Sequence, residues 1–246
     1  MTKRDREFLF ELLETPSPVG FEMPGQRVWA RHLGKTADAV DCDAYGSTWG
    51  TLGEGKRSVM LAAHADEIGY MVKQITSDGF LRLDRLGGSD SATGRGRRLR
   101  IFGDKGEVPG IIGNTAIHLR ADLANEKSPK PHQLWVDVGV SSAEEVGGLG
   151  IRVGHPAVYT DGPMELNKQR VVSRALDNRI GGFIIAQVIV DVLAEVGPAE
   201  GGVVFRVFIN GLLQSRQPIG LCLVKLGAQR RIMLATSQSP YSINER

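Results

Sequence analysis

The sequence predicts an α/β domain interrupted by an all-β insertion. Three observations carry this reading. Residues 4–64 combine helical spacing with a continuous apolar strand. From about Met71 to Thr160 the texture becomes short alternating segments broken by glycine. After Asp161-Gly162-Pro163 a long apolar helix pattern and a β-rich run return. A chain of 246 residues is long enough for one large domain or two modest ones with buried cores.

Phe8, Leu9, Leu12 and Leu13 recur at helical spacing within residues 4–14, and the Thr15-Pro16-Ser17-Pro18-Val19-Gly20 cluster ends that helix. Arg27 to Leu33 reads as a second helix. Tyrosine, tryptophan and glycine between Val40 and Gly53 suit a short strand with turns, and Ser58 to Ala63 suits a buried parallel strand. Tyr70–Ile75, Phe80–Leu83, Leu99–Phe102, Val108–Ile112, Leu134–Val138 and Ala157–Tyr159 alternate as strands of a small barrel or sandwich. Ser77-Asp78-Gly79, Asp104-Lys105-Gly106 and Gly147–Gly154 supply turns. Ile180 to Val196 is strongly helical, and Val203 to Ile209 is an apolar β run.

Composition is that of an ordinary globular protein, with 41% hydrophobic and 24% charged residues. A net charge of +2, with no interleaved basic and aromatic stripe, speaks against a nucleic-acid partner, and Arg95-Gly96-Arg97-Arg98 reads as a solvated loop. Cys42 and Cys222 lie far apart with no Cys or His at metal spacing, so both are expected to be free thiols. The first residues lack the apolar core of a signal peptide, and Phe183 to Val190 is too short to span a bilayer. The expectation is a cytoplasmic protein with no membrane association.

Charge is unevenly distributed. Only Glu245 among the 28 acids follows Glu200, while Arg206, Arg216, Lys225, Arg230, Arg231 and Arg246 all do. The tail therefore carries six bases against one acid, and the remainder 24 bases against 27 acids. A genuine basic tail and a change of reading frame are both consistent with this abruptness.

His64, in His64-Ala65-Asp66-Glu67-Ile68-Gly69, falls where the apolar run Val59–Ala63 stops. In open α/β sheets ligands collect at the carboxyl ends of strands, so the imidazole is a candidate metal ligand there; a hydrogen-bonded structural histidine is the alternative. Asp66, two residues on, is a candidate for orienting the imidazole, or else a turn or cap residue. Asp177, in Ala175-Leu176-Asp177-Asn178-Arg179, precedes a long apolar helix, where an aspartate serves as N-cap or bridges a pair of divalent ions. His32, His118, His132 and His155 are read as structural.

Taken in order, the motifs Leu61–Val72, Gly110–Gly113 with Ile117-His118-Leu119, Trp135–Gly139 with Ser142–Glu145, and Ala175–Gly181 resemble the tetrahedral, glutamyl/leucyl-type dinuclear metalloaminopeptidases over roughly residues 5–205. The resemblance implies a zinc-peptidase-like mixed sheet with helices at residues 1–70 and 165–246, interrupted at 71–164 by an inserted all-β barrel dimerisation domain. It implies assembly into large hollow homo-oligomers, peptide substrates, and two divalent ions, zinc or cobalt. By carry-over His64 binds one metal, Asp66 supports it, and Asp177 bridges both.

The chain also departs from the family. After the strand matching Val203–Ile209 the family carries a Glu-Glu pair, the first the general base and the second a metal ligand, followed later by Asp and His ligands. Here the sequence reads Asn210-Gly211-Leu212-Leu213-Gln214-Ser215-Arg216-Gln217. The expectation is a C-terminally truncated or frame-altered member that has lost peptidase turnover and exposes apolar surface. Competing readings are a non-catalytic assembly subunit dimerising through the insertion, and an endoglucanase-like glycoside hydrolase. The latter needs two spaced carboxylates, which a His64–Asp177 metal site does not supply.

Overall fold

A computed structural model of the chain describes residues 1–55, 57–113, 116, 134–193, 203–210, 225–226 and 230–231. Ile117-His118-Leu119, His132, Cys222 and the sequence from Gly211 to Leu223, together with the last three residues of the expected helix at 180–196, lie outside the described residues. The chain divides into two compact units: Met1–Leu12, Gln26–Ala65 and Leu176–Arg246 form a sheet unit, and Leu13–Gly25 with Asp66–Ala175 form a barrel unit.

In the sheet unit, α1 (Lys3–Glu14) turns Phe8 and Leu12 into the core, and α2 (Met23–Leu33) adds Val28, Trp29 and Leu33. Pro16 follows soon after α1; proline lacks the N–H a helix needs and disfavours helical backbone in the residue before it. β1 (Ala39–Cys42) and β2 (Thr48–Leu52) form an antiparallel pair. Gly50 on β2 is required by packing, because a Cβ there would sit 2.1 Å from Leu33 Cδ2. β3 (Arg57–His64) then lies parallel to β12 (Val203–Asn210), giving the mixed order β1-β2-β12-β3. Val59, Leu61 and Ala63 alternate onto the core, where α4 (Leu176–Gln187) contributes Phe183, Ile185 and Ala186. The predicted single helix over 180–196 instead passes from α4 into a π-helical stretch at Val188–Leu193.

The barrel unit closes β4 (Gly69–Ile75), β5 (Leu81–Leu86), β6 (Arg98–Gly103), β7 (Gly106–Gly113), β8 (Trp135–Asp137) and β9 (Pro156–Tyr159) in the order β4-β5-β8-β7-β6-β9. These are the six alternating segments of the sequence. Tyr70, Val72, Leu81, Leu83, Leu99, Ile101 and Val136 alternate along their strands and are fully buried inside. Closure leaves no unpaired strand edge.

Two smaller elements were not anticipated. Within the run expected to be a turn, Gly147 and Gly148 close a short helix, α3 (Ala143–Gly148), whose Ser142 hydroxyl accepts from Glu145 N at 3.2 Å. β10 (Met164–Leu166) and β11 (Arg170–Val172) form a hairpin turned through Asn167 and Lys168, both at positive φ. Among the described residues no helix is long and apolar enough to cross a membrane.

Candidate metal centre

The sheet unit brings its two candidate ligands together from positions 113 residues apart. β3 ends on His64, and α4 begins beside it. Asp177 (φ −90, ψ 106) and Asn178 (φ −123, ψ 39), joined by a cis peptide bond, are not helical, so the regular turns start at Arg179. His64 Nε2 lies 3.2 Å from Asp177 Oδ1, with the imidazole 27% and the carboxylate 72% exposed. Two ligands each about 2.0–2.1 Å from one tetrahedral zinc lie roughly 3.3 Å apart, so this spacing and the nitrogen-plus-oxygen donor set fit a shared divalent ion. Among the described residues no group of three or more His, Cys, Asp or Glu is assembled to hold a metal.

The helix start explains why Asp177 is available to a ligand. The capping role falls one residue later: Asn178 Oδ1 accepts the Gly181 N–H at 3.1 Å, which satisfies one of the unpaired donors of the first turn. Gly181 is part of that cap, since a Cβ there would lie 2.4 Å from Asn178 Oδ1. Arg179, only 1% exposed, donates from Nε to Ala65 O at 3.3 Å and from Nη1 to Leu12 O. Trp29 Nε1 donates to Gly182 O at 2.9 Å.

β12 reaches the same end of the sheet. Asn210, the last residue of the strand, is the register partner of His64. Gly211, Leu212, Leu213 and Gln214 follow, and none is an acid.

Asp66 belongs to the barrel unit, in the link between β3 and β4, since β3 ends at His64. Within that unit, burial pushes the Glu22 carboxyl above its ordinary range; the N–H groups of Gly20 and Glu22 itself oppose the shift, and the charge of Asp66 adds to it. Glu67, the next residue, is fully buried. Its Oε1 accepts from Ser17 N at 2.8 Å, and its Oε2 lies 2.8 Å from Arg174 Nε, which is itself 5% exposed. Arg174 Nη2 also donates to Glu14 O at 2.7 Å. Sequence reasoning missed Glu67, Arg174, Asn178 and Arg179. The only signals for them were a charged pair flanking the two candidate ligands and an Asn three residues ahead of a Gly-Gly step.

The remaining candidates occupy structural positions. His32 stacks on Phe8 with ring centroids 3.6 Å apart and pairs with Gln187 Oε1 at 2.9 Å. His155 Nδ1 accepts from Arg152 N at 3.2 Å, and its Nε2 lies 3.3 Å from Asp104 Oδ1. Cys42 is free and exposed.

A mixed sheet that carries a strand-end histidine to an aspartate ahead of a helix, in a chain that also folds a closed barrel, fits the zinc-peptidase-like class suggested by the motifs. The family model for the M42 glutamyl aminopeptidases matches residues 46–207. The chain belongs to that family, whose aminopeptidases are hydrolases. It is 34% identical to a putative aminopeptidase, SgcX, of Escherichia coli over 179 residues, covering 72% of this chain and 48% of the relative. It is 34% identical to the lysyl aminopeptidase of Pyrococcus furiosus over 178 residues, covering 72% and 51%. The solved Pyrococcus horikoshii TET1 peptidase, described as assembling into a tetrahedron or a large octahedral shell, superposes with a TM-score of 0.72 at 30% identity, covering 82% of this chain and 60% of that one. The chain thus spans about half the length of the curated relatives it matches.

Proposed function

We propose that His64 and Asp177 are the surviving ligands of a dinuclear, M42-type aminopeptidase centre, with His64 holding one divalent ion, Asp177 bridging two, and Asp66 supporting His64. The observation that carries the reading is the 3.2 Å approach of two donors from remote motifs at one end of the sheet. Family membership supports it, because M42 enzymes are metal-dependent in general. Zinc or cobalt bound there would polarise a peptide carbonyl and lower the pKa of an attacking water. This chain's own residues would supply a neutral imidazole nitrogen and a carboxylate bridge, and would leave the carboxylate's outer face open.

Removal of N-terminal residues from short peptides is the activity of the lineage, and this polypeptide performs it weakly or not at all. The reason lies in the sequence after Asn210, which reads Gly211, Leu212, Leu213 and Gln214 where the family carries its Glu-Glu pair. A general base contributes on the order of 10²–10⁴ in rate. Isothermal titration with Zn²⁺ and Co²⁺ tests the site: binding by the full chain that disappears in His64→Ala and Asp177→Ala is expected, and no binding by the unaltered chain defeats the proposal.

An assembly role is the second reading. The barrel is closed and has its own complete core, and the TET1 relative is an oligomer, so residues 71–164 would serve as the dimerisation module of a homo-oligomer. Analytical ultracentrifugation showing only monomer at micromolar concentration would remove it.

A further inference from the structure

We infer that Arg179 is the positioning residue of this centre: it sets the separation of His64 and Asp177 by tying the start of α4 to the end of β3. The inference rests on the reading of that pair as a metal site, but concerns how the pair is held. Asp177 is extended, largely exposed and outside the regular helix, so nothing in its own backbone pattern fixes where its carboxylate points. Arg179, two residues on, is at the opposite extreme. Its buried guanidinium donates to Ala65 O, the carbonyl immediately after His64, and to Leu12 O on α1.

A guanidinium is a rigid planar fork with its donors in fixed directions, so two acceptors on two different elements lock its position in a way that a flexible ammonium cannot. The consequence is a short bridge running from His64 through Ala65 O to Arg179 and back to Asp177. Asn178 stiffens the same bridge by capping Gly181, and Trp29 anchors the next carbonyl, Gly182 O. In the sequence Asp177-Asn178-Arg179-Ile180-Gly181-Gly182 the aspartate is thus left open while its successors hold the frame. The hydrogen bonds of Arg179 to Ala65 O and Leu12 O fix the two segments that carry the pair, so Arg179 acts by placing His64 and Asp177.

The test uses the full chain labelled with ¹⁵N-histidine, without metal and at one fixed pH, and reads the ring nitrogen resonances of His64, assigned by loss in His64→Ala. Asp177→Asn defines the resonance position of an imidazole without its carboxylate neighbour. Arg179→Lys is expected to move the His64 Nε2 resonance at least half of the way to that position. A core variant on the same helix, Ile185→Val, lowers the unfolding midpoint and leaves the resonance in place. A His64 resonance in Arg179→Lys indistinguishable from that of the unaltered chain overturns the inference. Should Arg179→Lys fail to fold, Asn178→Ala is expected to shift the resonance in the same direction and Asn178→Asp, which keeps the capping oxygen, to restore it; an unmoved resonance in Asn178→Ala then overturns it. Adding Zn²⁺ to the unaltered chain separates the two claims, because an absent zinc response removes the metal reading while the metal-free shift still reports on Arg179.

Discussion

Two acid–base side-chain pairs sit at matching places along the chain and have opposite characters. His64–Asp177 is 27% and 72% exposed, whereas Glu67–Arg174, three residues after the histidine and three before the aspartate, is 0% and 5% exposed. A buried pair is expensive to desolvate and costly to break, because removing one partner strands the other's charge. An exposed pair is screened by water and contributes little to stability. The same two chain segments therefore carry one pair committed to holding backbone in place, through Ser17 N and Glu14 O, and one pair that keeps its lone pairs accessible. Charge at a candidate site is informative only together with its exposure.

The sharpest way to break this contrast is to remove one member of each pair. Arg174→Ala or Glu67→Ala should cost about 3–5 kcal/mol in urea unfolding, while Asp177→Asn should cost about 0–1 kcal/mol. Equal losses would erase the distinction. Zinc should close most of this gap. At a hundredfold excess over its dissociation constant a bound ion adds about 2.7 kcal/mol of stability, and that increment should vanish in Asp177→Asn while persisting in a folded control such as Ile185→Val.

Legibility in the sequence follows the same division. The six barrel strands were readable because each alternates with period two and faces a single closed core, so the pattern is local and repeated. His64 was readable because an apolar strand stops at it, and Asp177 because it precedes a long apolar helix. That Asn178 and not Asp177 caps α4 was not readable: both residue types are good caps, and the choice depends on backbone angles at 177 and 178 that composition does not specify. The role of Arg179 was not readable, since nothing local announces carbonyl partners at positions 12 and 65. The β10–β11 hairpin was hidden because its turn uses Asn167-Lys168 where an Asn-Gly step is the usual signal.

The helix start offers a smaller test of the same idea. If Asn178 is the cap, Asn178→Ala should lose about 0.5–2 kcal/mol and Asn178→Asp much less, both measured by denaturant unfolding. Asp177→Ala should fall well below Asn178→Ala, because Asp177 makes no capping bond in the first turn. The opposite order would return the cap to Asp177 and weaken the argument that its carboxylate is free for a cation.

The smallest effect separates the two histidines of the sheet unit by pH. Burial against Phe8 lowers the His32 pKa from its ordinary value of 6.5; the bond to Gln187 and the charge of Asp5 oppose this, while Lys35 and Arg4 reinforce it. In the unfolded chain the imidazole regains its ordinary pKa, so the unfolded state takes up the proton first as pH falls. The contribution of His32 to stability is therefore complete above about pH 6.5 and declines as pH drops from there through the lowered folded value. Urea midpoints compared at pH 7.5 and pH 5.5 should show a decline that His32→Gln reduces. The same substitution should leave Zn²⁺ binding unchanged, because His32 pairs with Gln187 and not with Asp177. A pH response that survives His32→Gln intact would mean that another group, rather than this ring, senses acid in the sheet unit.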